Sequence, residues 1–285
     1  MLPSQTHGSI QDIQSAQRTP VAPLRPVIEA IGVSKRFDTA GRGSFLAIKD
    51  IDLAVRDHEL VCFLGPSGCG KSTFLNIVAG YLPASEGEVL VDGKPVTGPG
   101  PDRVMVFQEF ALFAWRTVLG NVEFGLQMAG LPKRERREIA RRYIDMVGLT
   151  AFAEAYPYQL SGGMRQRTAI ARALAIDPQI LLLDEPFGAL DAQTRVIMQE
   201  ELLRIWQQTH KTVLFVTHSI NESIYLADRI LVMTAVPGQI KSIIDVSLPR
   251  PRSRTSTAFA ALYGKIEELL KSEVLRTVEQ ETVRP

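Results

Sequence analysis

Along the chain, short runs of consecutive apolar residues alternate with stretches in which apolar residues return every third or fourth position. Between Val27 and Val55 apolar and polar residues partly alternate, which predicts half-buried antiparallel strands. Leu60-Val61-Cys62-Phe63-Leu64 is apolar throughout and stops at Gly65-Pro66, as a strand buried on both faces does. After Lys71, the positions Phe74, Leu75, Val78 and Leu82 follow a helical period. Residues 88–93 read as a strand entering a tight turn, and Val104-Met105-Val106-Phe107 as a further buried strand. Residues 117–160 then read as helical, with the charges of residues 133–142 forming a solvated face. Buried runs return at 180–183, 213–216 and 230–233, separated by helical patterns at 164–175 and 193–208. Buried strands alternating with helices predict an α/β fold around a parallel sheet. A charged, Pro-rich joint at 248–254 leads to a last amphipathic helix, with Phe259, Leu262, Tyr263, Ile266, Leu269 and Leu270 on one face.

Composition narrows this picture. The 285 residues suffice for one large domain, or for a domain with a substantial subdomain. Lys plus Arg (32) nearly cancel Asp plus Glu (31), and a net charge of +1 gives no general field for nucleic acid. Two cysteines, Cys62 and Cys69, leave little room for a disulfide framework and point to a reducing compartment. No apolar stretch approaches the roughly 18 to 20 residues that span a bilayer. Residues 1–26 are polar, lack the apolar core of a signal peptide, and read as a loose N-terminal tail. The expectation is a soluble protein whose membrane role, if it has one, comes through a partner.

The first candidate chemistry lies between the strand at 60–64 and the helix after it. Gly65, Pro66, Ser67, Gly68, Cys69, Gly70, Lys71 and Ser72 fit the pattern G-x-x-x-x-G-K-[ST] in full. Its glycines let the backbone curl so that successive N–H groups face phosphate oxygens, and the helix adds its positive end. Lys71 would reach the β- and γ-phosphates, the Ser72 hydroxyl would bind Mg²⁺, and Thr73 would add a phosphate contact. A chance match in such a chain is on the order of 1%. ATP binding follows. Cys69 needs only to be small here, with no redox role.

Two carboxylates, Asp184 and Glu185, end the apolar strand at 180–183. Asp184 suits the shell of a hard cation, and Glu185 suits a water poised to attack the γ-phosphate. Ser161-Gly162-Gly163 runs straight into a helix and forms a second anion site from a hydroxyl, free N–H groups and a helix dipole. One nucleotide does not need two such sites from one chain. Two copies packed head to tail would each offer this turn to the other's γ-phosphate.

With these segments the sequence resembles the ATP-binding cassettes of ABC transporters over residues 27–240. The resemblance is carried by GPSGCGKST, LSGGMRQR, ILLLDEP, Gly188-Ala189-Leu190-Asp191, Gln108 after a strand, and His218 after residues 213–217. It implies a P-loop NTPase fold: a RecA-like parallel-sheet core, an antiparallel β subdomain and an α-helical subdomain at about 109–160. The cassette would run from 27 to 247, and residues 248–285 would form a C-terminal linker and helix. It also implies that Gln108 senses Mg²⁺ and the attacking water while touching a membrane subunit. His218 would contact the γ-phosphate and hold Glu185, Asp191 would help join the two cassettes, and Phe37, where Tyr is usual, would stack on adenine. Arg165 and Arg167 are expected in structural contacts.

Residues 98–103 and the following VMVFQEFALFAWRTVLGNVEFGL resemble cassettes of the nitrate, sulfonate, taurine and bicarbonate importers, with Ala114 where Pro is usual. That resemblance implies two transmembrane permease subunits, an extracytoplasmic solute-binding protein in the complex, and a place on the cytoplasmic face of the membrane. Phe110, Leu112, Phe113 and Trp115 are then candidates for the rim that meets a permease helix. The alternatives are an ABC ATPase remodelling nucleic acid or protein, and a P-loop kinase. The kinase leaves LSGGMRQR unexplained.

Overall fold

The computed structural model describes residues 26–39 and 43–282. The expected tail therefore lies, but for Pro26, outside the described residues. Chain order is β1 (Ile28–Thr39), β2 (Gly43–Val55), β3 (Leu60–Leu64), α1 (Lys71–Ala79), β4 (Glu86–Val91), β5 (Lys94–Pro95) and β6 (Arg103–Val106). Three helices follow, α2 (Val118–Val122), α3 (Phe124–Met128) and α4 (Lys133–Met146), then α5 (Gly162–Ala175) and β7 (Ile180–Asp184). The last part holds α6 (Ala192–Thr209), β8 (Thr212–Thr217), α7 (Ile220–Leu226), β9 (Arg229–Met233), β10 (Ile240–Asp245) and α8 (Thr257–Thr282).

Two sheets result. The antiparallel one has the order β2-β1-β4-β5, with Ile28 opposite Val55 on one side and Val91 on the other. The larger one has the order β10-β9-β3-β8-β7-β6, parallel from β9 to β6 and closed by antiparallel β10. Its central strands are apolar along their interiors because both faces are covered. Leu60, Cys62 and Leu64 face one core with Leu183, Phe215 and Val232; Val61 and Phe63 face the other with Leu182, Leu214 and Leu231. The period of two along each strand divides the molecule into these two cores. α1 and the antiparallel sheet lie over the second core; the helical block α2–α5, with α6, α7 and α8, covers the first.

Parallel register is what assembles the site. Leu64 pairs with Thr217, and Asp184 with Val216. The carboxyl ends of β3, β8 and β7 therefore stop at one level, and the loops leaving them share one edge, where open α/β sheets bind ligands.

Several expectations need correction. β6 ends at Val106; Phe107 is 37% exposed and stacks on Tyr81. α1 ends at Ala79, where Gly80 takes φ 80° as a left-handed cap, so Leu82 lies past the helix. β10 is an edge strand that the apolar pattern did not announce. The charged face of α4 is only partly solvated, since Arg136 and Arg137 lie 3.4 and 3.8 Å from the buried carboxylate of Glu123. The stripe on α8 is used as expected: Phe259, Ile266 and Leu270 are buried and Leu262, Tyr263 and Leu269 pack around them. No helix among the described residues is long and apolar enough to cross a membrane.

Candidate functional site

The loop 65–73 leaves β3 and enters α1 through Gly70, which sits at φ 94° without a side-chain cap. A β-carbon at Gly70 would meet Ile48 Cγ2 at 2.3 Å and the Ala47 carbonyl at 3.0 Å. Gly70 is thus required both by φ and by close approach. Lys71 is buried and folds back over the loop, donating to the carbonyls of Gly65 and Pro66, both at 2.8 Å. Its ammonium is held at the loop's centre by main-chain oxygens, and Cys69 Sγ lies 3.7 Å away. Burial pushes the Cys69 thiol up, with Lys71 opposing, so the group is a small filler and no reactive thiolate. Ser67 and Ser72 are exposed and Thr73 half-buried.

Ser72 and Asp184 meet directly: the hydroxyl donates to Asp184 Oδ1 at 2.8 Å. Burial raises the Asp184 pKa, the Ser72 bond opposes this, neighbouring Glu185 adds to it and Lys71 opposes. Two hard oxygens on one side of the loop suit Mg²⁺, which keeps several waters and binds through few protein groups. Among the described residues there is no cluster of three or more His, Cys, Asp or Glu that could hold a metal ion. Glu185 has φ 44°, rare for a residue with a β-carbon, and its N–H donates to the Val216 carbonyl at 3.1 Å. This bend turns its carboxylate toward β8, where Oε2 lies 3.3 Å from His218 Nδ1. The His218 side chain is 58% exposed and that of Glu185 22%. The pair stands at the mouth of the site.

The second predicted anion site is built on other elements. Ser161 caps α5, its hydroxyl accepting the Met164 N–H at 3.3 Å. A β-carbon at Gly162 would come 3.1 Å from Leu190, and one at Gly163 would come 2.9 Å from Thr194 on α6. These glycines therefore also serve close packing beneath the turn. Asp191 caps α6, Oδ1 accepting the N–H groups of Thr194 (3.0 Å) and Gln193 (3.1 Å), and these bonds lower its pKa. Gln108 is exposed and lies against Gly188, whose added β-carbon would be 3.1 Å from Gln108 Nε2. Phe37 lies half-exposed on β1 opposite Phe45, with Lys35 Nζ 5.3 Å from its ring centre.

A cleft of about 610 Å³ opens beside Gln108, bounded by Phe110, Leu112, Tyr158, Arg165 and Ala189. Of the proposed rim, Phe110 and Leu112 line it, Phe113 packs on Phe124 with ring centres 4.5 Å apart, and Trp115 is 75% exposed. Arg165 donates to the Leu160 carbonyl and Arg167 to that of Val147.

A family model described as ABC transporter matches residues 48–188. An uncharacterised ABC transporter ATP-binding protein of Methanocaldococcus jannaschii is 58% identical over 232 residues, 81% of this chain and 87% of that one. The chain belongs to the ABC transporter family. A nitrate import ATP-binding protein of Synechocystis is 49% identical over 218 residues, 75% of this chain and 82% of that one. A dimeric ATP-binding cassette in a post-hydrolysis state, bound to ADP and Pi, superposes with a TM-score of 0.69 at 34% identity, covering 78% of this chain and all of that one. The two sheets and the helical block are those of an ABC cassette, an ATPase whose hydrolysis is coupled to transport.

One residue close to the site lies in none of the sequence motifs. Gly238, in the turn between β9 and β10, lies against the phosphate loop: a β-carbon there would fall 1.9 Å from the Cys69 carbonyl oxygen. The only signal was a lone glycine after a proline, which marks a turn but not its neighbour.

Proposed function

We propose that the chain is the ATP-hydrolysing subunit of an importer for nitrate, sulfonate, taurine or a related small solute. It would act as a head-to-tail dimer on two transmembrane permease subunits at the cytoplasmic face of the membrane. An extracytoplasmic solute-binding protein would complete the complex. Likeness to a nitrate import cassette supports the solute class, and the cleft beside Gln108, lined by both apolar side chains and the charged Glu109 and Arg165, offers the permease a place to dock. Residues 27–247 would form the cassette, 109–160 its helical subdomain, and 248–285 a C-terminal appendage.

The observation that carries the chemistry is the convergence of three strand ends. It sets Ser72 against Asp184 at 2.8 Å and Glu185 against His218 at 3.3 Å on one sheet edge. In this reading the N–H groups of residues 65–73 cradle the phosphates and Lys71 exchanges loop carbonyls for phosphate oxygens. Phe37 stacks on adenine. Ser72, Asp184 and Gln108 would hold Mg²⁺, whose charge offsets that on the phosphate oxygens. Glu185 orients and polarises the attacking water, and His218 keeps Glu185 aimed while contacting the γ-phosphate. Ser161, Gly162 and Gly163 of the second copy close the site, with Asp191 at the join.

Glu185→Gln tests this. The variant should bind ATP, accumulate as an ATP-dependent dimer on size exclusion, and lose about a hundredfold or more in turnover. Hydrolysis at the wild-type rate would remove Glu185 from the role.

A further inference from the structure

His218 is more than half exposed, so the aim of its imidazole depends on how its backbone is held. Beneath it lies a carboxylate that the hydrolytic roles leave unused. Glu222, on α7, is 6% exposed. Its Oε2 accepts the Thr217 hydroxyl at 2.5 Å, and the same hydroxyl oxygen accepts the Ser219 N–H at 3.0 Å. The Glu222 N–H donates in turn to Ser219 Oγ at 3.4 Å. His218 is therefore the middle residue of a ring of hydrogen bonds that ties its two neighbours to one buried residue, Thr217 to the carboxylate of Glu222 and Ser219 to its N–H.

The other carboxylate oxygen is engaged by other elements. Glu222 Oε1 accepts Gln199 Nε2 at 3.2 Å, and Arg195 Nε lies 3.8 Å off. Arg195 also donates to the carbonyls of Phe187 and Leu190, in the segment just after Glu185. Gln199 Oε1 accepts Arg254 Nη2 at 2.8 Å, and Arg254 lies over the Tyr225 ring at 3.6 Å. A buried carboxylate with both oxygens engaged is costly to desolvate, and its best-attested use is to fix one arrangement among several.

We propose that Glu222 is a positioning residue for His218, acting through Thr217 and Ser219, and that the C-terminal joint sets the hold through Arg254 and Gln199. The proposal rests on the role given to His218 above. Turnover would then depend on how the joint is docked, although Arg254 is none of the residues given to the nucleotide or the attacking water.

The test is a double-mutant cycle in ATP turnover by the full chain, with nucleotide binding measured alongside. Thr217→Val keeps the side chain's shape and removes the bridging hydroxyl. It should lower kcat about ten- to hundredfold at unchanged ATP affinity, and Thr217→Ser, which keeps the hydroxyl, should restore it to within about twofold. In a His218→Ala background Thr217→Val should cost less than about twofold more, because its effect runs through His218. Equal losses in both backgrounds, or a wild-type kcat for folded Thr217→Val, would overturn the proposal. Should Thr217→Val fail to fold, Arg254→Met at the outer end decides by the same comparison: a loss with His218 and none without it supports the proposal, and equal losses reject it. If His218→Ala itself turns over normally, the role of His218 fails first and the proposal with it; if only Thr217→Val and Arg254→Met are silent, the proposal fails alone.

Discussion

Gly238 has no room to yield. Its N–H donates to the Ala47 carbonyl at 2.9 Å and its carbonyl accepts the Lys49 N–H at 3.0 Å, so the backbone is fixed from both sides. A methyl group there must displace the Cys69 carbonyl, one residue before Gly70, and with it the curl of the phosphate loop. Gly238→Ala should weaken ATP binding roughly tenfold or more and destabilise the fold by about 1–3 kcal/mol, read by calorimetric titration and thermal melting. Gly98→Ala is the control, because a β-carbon at Gly98 meets nothing within 4 Å. The contrast explains what could be read from sequence. The eight residues from Gly65 to Ser72 are contiguous and their spacing is itself the signal, whereas Gly238 meets the loop only after the chain has built the whole sheet.

Elements divide in the same way. β3, β7, β8 and β9 were legible because burial on both faces makes them apolar runs, and α5, α6 and α8 because they are long enough to show a period. β10, buried at one position in six, and the seven-residue α7 were not. The joint at 248–254 read as a charged linker, yet Arg252 is 5% exposed and works as the cap of α7. Its Nη1 donates to the carbonyls of Ala227 (2.6 Å), Ile224 (2.7 Å) and Tyr225 (3.2 Å), the groups a helix end leaves without partners. Nη2 reaches Val246 and Nε reaches Leu248. Burial, with Arg250 nearby, pushes its pKa down to about 10, which leaves it charged at neutral pH. Arg252→Met keeps the stem and strips the donors from five carbonyls. It should lower stability by about 2–4 kcal/mol in denaturant titration; an unchanged midpoint would mean that water replaces the guanidinium at no cost.

For the molecule as a whole, the question is whether one chain holds a complete site. The phosphate loop packs on Ala47, Ile48 and Met233, whereas the Ser161 turn packs on Leu190 and Thr194. In the proposed reading they are separate half-sites, and a two-fold dimer would present each to its complement twice. Lys71→Ala damages the first half-site. Ser161→Asp damages the second: aspartate caps a helix as well as serine does, so α5 stays intact, but its charge would oppose the γ-phosphate. Each variant alone should be nearly inactive. In a mixed dimer one composite site carries both defects and the other carries neither. An equal mixture, with half its dimers mixed and one sound site in each, should recover up to about a quarter of wild-type turnover if the sites act independently. A site complete within one chain predicts no recovery at any mixing ratio. Recovery that rises and falls with the proportion of the two variants would therefore assign turnover to the pair of chains, and its absence would return it to the single chain.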